Sequence, residues 1–102
     1  MQTNVKAVPE STIEEFAEAN DLTMEIVERG RQMAEFAKAR YYCFFADAEI
    51  KGDGVLTSAP GNGNTHDEAI RCYAKIISET TLVIGAWTAD RREIRVPRLI
   101  AK

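Results

Sequence analysis

At 102 residues, with 45% hydrophobic and 28% charged side chains and a formal net charge of -3, the chain has the size and composition of one soluble globular domain. No apolar run approaches the roughly 18 residues that span a bilayer. The N-terminus also lacks a basic start followed by a hydrophobic stretch, so no membrane partner and a cytoplasmic location are expected.

Residues 1–9 show no periodicity, end in Pro9 and read as a flexible segment, leaving one domain over residues 10–102. "ESTIEEFAEAND" then predicts a short acidic helix. Ser11 with Glu14, or Thr12 with Glu15, forms a capping box, Ile13, Phe16 and Ala17 follow at helical spacing, and Asn20-Asp21 stops it. "LTMEIVER" changes period, with Leu22, Met24 and Ile26 alternating against Thr23 and Glu25, which reads as a strand. "RQMAEFAKA" would suit one helical turn through Met33, Phe36 and Ala37, but after Gly30 a loop or irregular strand end is expected.

"YYCFFADAEIK" carries the clearest strand pattern, with Tyr42, Phe44, Ala46, Ala48 and Ile50 on one face and Asp47, Glu49 and Lys51 on the other. Gly52-Asp53-Gly54 is a hairpin turn in type, and Val55, Leu56 and Thr57 begin a return strand that Pro60 ends. "HDEAIRCYAKIIS" is a second helix, lined on one face by Ala69, Ile70, Tyr73, Ala74 and Ile77. "TLVIGAW" and "EIRVPRLI" close the chain as a strand pair. The order is helix, three strands, helix and a C-terminal strand pair. An apolar helix face needs a sheet to lie on, so the expected fold is a two-layer α+β domain with an antiparallel sheet packed on helices.

Cys43 and Cys72 have no CxxC spacing and the chain has one histidine. That is not a zinc pattern, and without an export signal two buried thiols are expected rather than a disulfide. No metal and no cofactor are expected.

The stretch most like a site is Gly61-Asn62-Gly63-Asn64-Thr65-His66. A glycine-rich turn at a helix start can hold an anion on its backbone amides. The structural alternative makes Thr65 the N-cap with Glu68 as its capping-box partner. Asp67 and Glu68 favour the cap, because they already neutralise the positive helix end and would face a bound phosphate. The spacing matches neither the Walker loop nor GxGxxG. Asp47 and Glu49 could form a carboxylate pair, though an exposed strand face with alternating charge is the commoner case. Catalysis has no convergent set of groups, so an enzyme is not expected.

Charge is uneven. Residues 10–35 hold eight acids against Arg29 and Arg31, whereas residues 90–102 hold Arg91, Arg92, Arg95, Arg98 and Lys102 against Asp90 and Glu93. Trp87 precedes this arginine cluster, and tryptophan with arginine is a common interface pairing. The alternative is a solvated arginine edge that discourages strand-to-strand aggregation.

The element order, with "GNGNTHDEAIRCYAK" opening the second helix, resembles the double-stranded RNA-binding domain. That likeness implies basic RNA contacts at the last helix start and on the first helix. Here those places hold Thr65, His66, Asp67 and Glu68, and Glu10, Glu14, Glu15 and Glu18, which cannot neutralise phosphate. Gly52, Gly54, Gly63, Thr65, Glu68 and Ala69 also resemble the HicB antitoxin pattern, which implies a compact partner-binding fold. "LVIGAW" and "REIRVPRL" look like small phage accessory proteins. The expected function is a non-enzymatic interaction protein that binds a protein partner or itself, as a homodimer, through Trp87, Arg91, Arg92, Arg95 and Arg98. The alternative is a small-anion or nucleic-acid binder using residues 61–66 with the C-terminal arginines.

Overall fold

The structure, a computed structural model, describes residues 11–100. The expected flexible segment over residues 1–9, Glu10 and Lys102 lie outside them.

Thr12 starts helix α1, Ile13–Ala19, through the second of the two expected capping boxes. Its Oγ1 accepts the Glu15 N–H at 3.0 Å, and Glu15 Oε1 accepts the Thr12 N–H at 3.0 Å. The helix ends where Asp21 takes a left-handed φ of 57°. The N–H groups of Leu22 and Asp21 there reach back to the Ala17 and Glu18 carbonyls at 2.8 and 3.3 Å, a Schellman closure.

Strand β2, Met24–Glu28, pairs antiparallel with β3, Tyr41–Phe45, from Met24↔Phe45 to Glu28↔Tyr41. Between them residues expected as a loop form helix α2, Arg31–Ala37. The correction has a physical reason. Arg31, Ala34, Glu35 and Lys38 line a cleft on one side of α2, while Met33 and Phe36 stay 58% and 84% exposed. The apolar residues therefore never mark a buried stripe. The helix is closed by a second left-handed residue, Lys38, with φ 58°.

The long alternating run also proves to be two strands. Asp47, at φ 60°, breaks it into β3 and β4, Ala48–Gly52, which lie in different sheets. The break reverses the phase. Cys43 and Phe45 are buried in β3, whereas in β4 it is Ala48 and Ile50 that pack on the core. The expected single face through Tyr42, Phe44, Ala48 and Ile50 is thus correct for β4 and inverted for β3.

Asp53 and Gly54, both at positive φ, join β4 to β5, Val55–Thr57, with Gly52↔Val55 flanking them as a two-residue hairpin requires. Strand β6, Gly61–Gly63, pairs with β3. Helix α3, His66–Ile77, follows, and then β7, Thr81–Ile84, and β8, Arg92–Arg95, form the expected antiparallel pair. The two principal sheets run β2-β3-β6 and β5-β4-β7-β8, and a parallel bridge joins β1, Ser11–Thr12, to β9, Leu99–Ile100.

The fold is α+β. Ile13 and Phe16 of α1, Tyr73 and Ile77 of α3, and Phe45, Leu82 and Val96 meet in one core. Each such side chain, fully buried, contributes about 1.5–3 kcal/mol. The register puts Glu49, Val83 and Glu93 side by side on the sheet face opposite this core, with Lys51, Thr81 and Arg95 beside them. Among the described residues, no helix is long and apolar enough to cross a membrane.

Candidate functional site

The β7–β8 connection begins at Gly85, where φ is 62° and an added Cβ would meet Thr88 Oγ1 at 2.7 Å. The strand therefore stops at Ile84, and Trp87 belongs to the turn rather than to a strand face shared with Val83. Thr88 donates twice to the Gly85 carbonyl, from N–H at 3.0 Å and from Oγ1 at 2.8 Å, and its Oγ1 accepts the Asp90 N–H at 3.2 Å. The Gly85 N–H donates to the Asp47 carbonyl at 3.0 Å, which ties this turn to the β3–β4 turn. Trp87 is held at the tip with 86% of its surface exposed.

Two depressions count Trp87 among their lining residues. A cavity of about 570 Å³ lies where the two tied turns meet, with Phe44, Asp47, Glu49, Ser58, Trp87, Asp90 and Arg92 among its lining. A second one of about 500 Å³ is lined by Lys51, Leu56, Trp87 and Arg91, and shares Glu49. Glu49 Oε1 is buried without a hydrogen-bond partner. Lys51 Nζ, two residues along the strand, instead reaches both carboxylate oxygens of Glu93 at 3.2 Å, and Arg91 Nη2 reaches Glu93 Oε2 at 3.2 Å. The hydrogen bonds from Lys51 and then from Arg91 hold the Glu93 carboxyl below its ordinary pKa.

The expected arginine cluster is dispersed. Arg91 lines the second depression with Trp87. Arg92 Nη2 donates to the Asn20 carbonyl at 2.8 Å, latching β8 to the end of α1. Arg95 is exposed opposite Thr81, and Arg98 lines a groove beside α3 with Arg71 and Lys75.

Residues 61–66 are organised by α3. Gly61 and Gly63 are buried. An added Cβ on Gly61 would strike Tyr73 and Ala69 backbone atoms, and one on Gly63 would meet Ala69 N at 2.5 Å. The glycines admit the helix onto the strand. Thr65 Oγ1 accepts the Glu68 N–H at 3.1 Å, as the expected cap requires, but Glu68 Oε1 accepts from Asn64 N–H at 2.8 Å rather than from Thr65. His66 is exposed, with its ring edge-on to Tyr41 at 4.6 Å.

The cations beside this segment are Arg29 and Arg40, which the sequence reading did not single out. Arg29 donates to Asn62 Oδ1 at 2.5 Å and to the Ala39 and Tyr41 carbonyls at 3.2 Å, and lies 4.7 Å over the Tyr42 ring. The Arg40 N–H donates to Asn64 Oδ1 at 3.2 Å, and its guanidinium pairs with Glu28 at 2.7 Å and lies 5.3 Å over Tyr41. "ERGR" and "ARYY" carried the signal, basic residues interleaved with tyrosine, but only strand pairing of β2, β3 and β6 brings the three segments together.

Both cysteines are free thiols, Cys43 buried as expected and Cys72 half-buried. Among the described residues, no three His, Cys, Asp or Glu side chains are grouped to hold a metal ion. No family model matches the chain, and neither does any curated protein or solved structure compared with it.

Proposed function

We propose that this is a non-enzymatic interaction protein that binds a protein surface, in the first instance a second copy of itself, through the exposed surface at Trp87 and Arg91. The observation that carries this reading is the 86% exposure of Trp87 on a hydrogen-bonded turn. Large aromatic side chains next to arginine supply much of the energy at interfaces. The backbone that carries the indole is already held by the Thr88 hydrogen bonds, so ordering the turn adds little to the cost of binding. The edge strands β5 and β8 of the same sheet offer unpaired backbone groups for strand-to-strand association.

Trp87 is the only tryptophan, so its fluorescence reports this surface alone. Sedimentation across a concentration series is expected to show self-association, with the emission shifting to the blue as the indole leaves water. Trp87→Ala is expected to abolish association while the far-ultraviolet circular dichroism is unchanged. Undiminished association of a folded Trp87→Ala protein would overturn the reading.

A second reading, a binder of small anions or nucleic acid at residues 61–66, is supported by Arg29. Its observed hydrogen bonds go to neutral acceptors, two carbonyls and Asn62, which leave its charge uncancelled. The partner cations would then be Arg29 and Arg40 in place of the C-terminal arginines. Salt-sensitive binding of an oligonucleotide, lost in Arg29→Ala and kept in Arg95→Ala, would favour it.

A further inference from the structure

We propose that two copies of this chain join edge to edge, with strand β8 pairing antiparallel to β8 of the second copy around a two-fold axis at Ile94. The inference rests on the self-association read above and names the strand, the register and the charges that make it. The turn that carries Trp87 and Arg91 runs directly into β8, so the pairing continues that surface.

β8 ends its sheet, with β7 on one side only, and Arg92, Glu93 and Arg95 are exposed. The ladder fixes which backbone groups are free. The Val96 N–H donates to the Thr80 carbonyl at 2.8 Å, one step beyond the Thr81↔Arg95 pair, so the even-numbered residues of β8 bond to β7. Across β7, the Gly85 N–H donates to the Asp47 carbonyl at 3.0 Å, one step beyond Ala48↔Ile84. Odd-numbered residues of β7 therefore serve β4 and even-numbered ones serve β8, which agrees. Bonded and unbonded pairs alternate along an antiparallel ladder, so the backbone groups of Glu93 and Arg95 point out of the edge. The opposite edge offers less. Gly52↔Val55 closes a two-residue hairpin and Ile50↔Thr57 repeats its bonding, so within β5 only Leu56 turns its backbone outward.

Charge selects the register. Setting Glu93 against Glu93, or Arg95 against Arg95, puts like charges directly opposite, which is destabilising. The remaining register within β8 sets Glu93 of each copy against Arg95 of the other. Arg91 lies before the strand, and its N–H is engaged with the Thr88 carbonyl at 3.4 Å. Glu93 and Arg95 share the sheet face opposite the core, so their charges meet on one surface. Among the described residues, the Arg95 side chain makes no hydrogen bond or ion pair, which leaves it available to the second copy. On the core face, half-buried Ile94 ends the apolar row Ile50, Leu82, Ile94, and the same register lays it against Ile94 of the second copy. Two four-stranded sheets then become one of eight strands, within the range of open sheets. A two-fold pairing also closes on itself, so the assembly stops at a dimer.

The test is charge reversal read by sedimentation over a concentration series. The wild type is expected to pass from monomer to dimer. Arg95→Glu and Glu93→Arg, each folded by circular dichroism, are expected to dimerise at least about tenfold more weakly. An equimolar mixture of the two variants is expected to form a heterodimer tighter than either homodimer by a similar factor, because every charge again faces its opposite. Undiminished dimers of folded Arg95→Glu, or a mixture no tighter than its components, would overturn the proposal. Should Glu93→Arg fail to fold, amide exchange in the wild type takes the place of the mixture. The Glu93 and Arg95 N–H groups are expected to gain protection as the dimer forms, while that of Ile94, bonded to β7, is protected throughout. Equal exchange of Glu93 and Arg95 in monomer and dimer would overturn the pairing. A dimer lost in Arg95→Glu but kept in Trp87→Ala leaves the pairing standing and overturns the Trp87 surface. A dimer lost in Trp87→Ala but kept in Arg95→Glu overturns the pairing alone, and a wild type that is monomeric at every concentration overturns both.

Discussion

The phenol oxygen of Tyr73 accepts the backbone N–H of Phe45 at 3.1 Å within the core, and the two rings meet edge to face at 5.3 Å. A helix side chain thus completes a strand backbone. Tyr73→Phe keeps the ring contact and leaves that N–H unsatisfied, which costs about 1–3 kcal/mol. Each kcal/mol corresponds to about 4–8 °C in Tm for a domain of roughly this size. Thermal melting should show the fall, and an unchanged Tm would mean the hydrogen bond carries no stability.

Alkaline pH should act on the same core. Burial pushes the Cys43 thiol up from 9.0 to about 11 and raises Tyr73 in the same direction. Both groups are neutral when protonated, so the fold favours the protonated forms. Their contribution is complete below the unfolded values and is lost as pH rises through the folded ones. The urea midpoint should hold up to about pH 9 and decline toward pH 11. At pH 8 a maleimide should label Cys72 before Cys43, which is fully buried. Equal labelling rates in the native protein would contradict this.

Replacing either strand glycine separates packing from ligand binding. Gly61→Ala and Gly63→Ala each drive a methyl into the backbone of α3, and overpacking of this kind costs about 1–3 kcal/mol or more. Both variants should melt lower than wild type with no ligand present. Thr65→Ala, which loses the cap to the Glu68 N–H, should lose about 1 kcal/mol. Wild-type melting of the glycine variants would show that residues 61–63 do not support the helix.

Glu93 should titrate below the ordinary glutamate value, because Lys51 and Arg91 stabilise its charged form. Its folded pKa is lowered, so the stability it provides is present above the unfolded value and lost as pH falls through the folded one. Carboxylate-detected NMR of Lys51→Met should show the midpoint moving up toward the ordinary glutamate value. A midpoint that stays put would assign the shift to Arg91 alone.

Local signals made much of the architecture legible. Thr12 and Glu15 marked the start of α1, Asp53-Gly54 the hairpin, and Thr65 with the apolar face of Ala69, Tyr73 and Ile77 the last helix. What escaped depended on contacts distant in sequence. Gly61-Asn62-Gly63 has no side-chain alternation to announce a strand, and becomes one because β3 offers a partner and α3 presses on it. Helix α2 hid because Met33 and Phe36 point to solvent. Asp47 gave no warning because a left-handed aspartate inside an alternating run looks like any outward-facing polar residue. At the site, Trp87 was legible as an aromatic beside the C-terminal arginines, and its 86% exposure is a finding of the structure. Glu49 was named as half of a carboxylate pair with Asp47, but the burial of its Oε1 is not something strand alternation shows.

Because the phase of the chain reverses at Asp47, one ribbon from Tyr41 to Gly52 presents odd-numbered residues to the interior before the turn and even-numbered ones after it. That gives the segment a parity. A single-residue insertion or deletion within either strand would exchange its inner and outer faces, exposing Phe45 or burying Lys51, whereas changes by two residues keep the faces in place. Length variation across residues 41–52 in any lineage of this protein should therefore come in even steps.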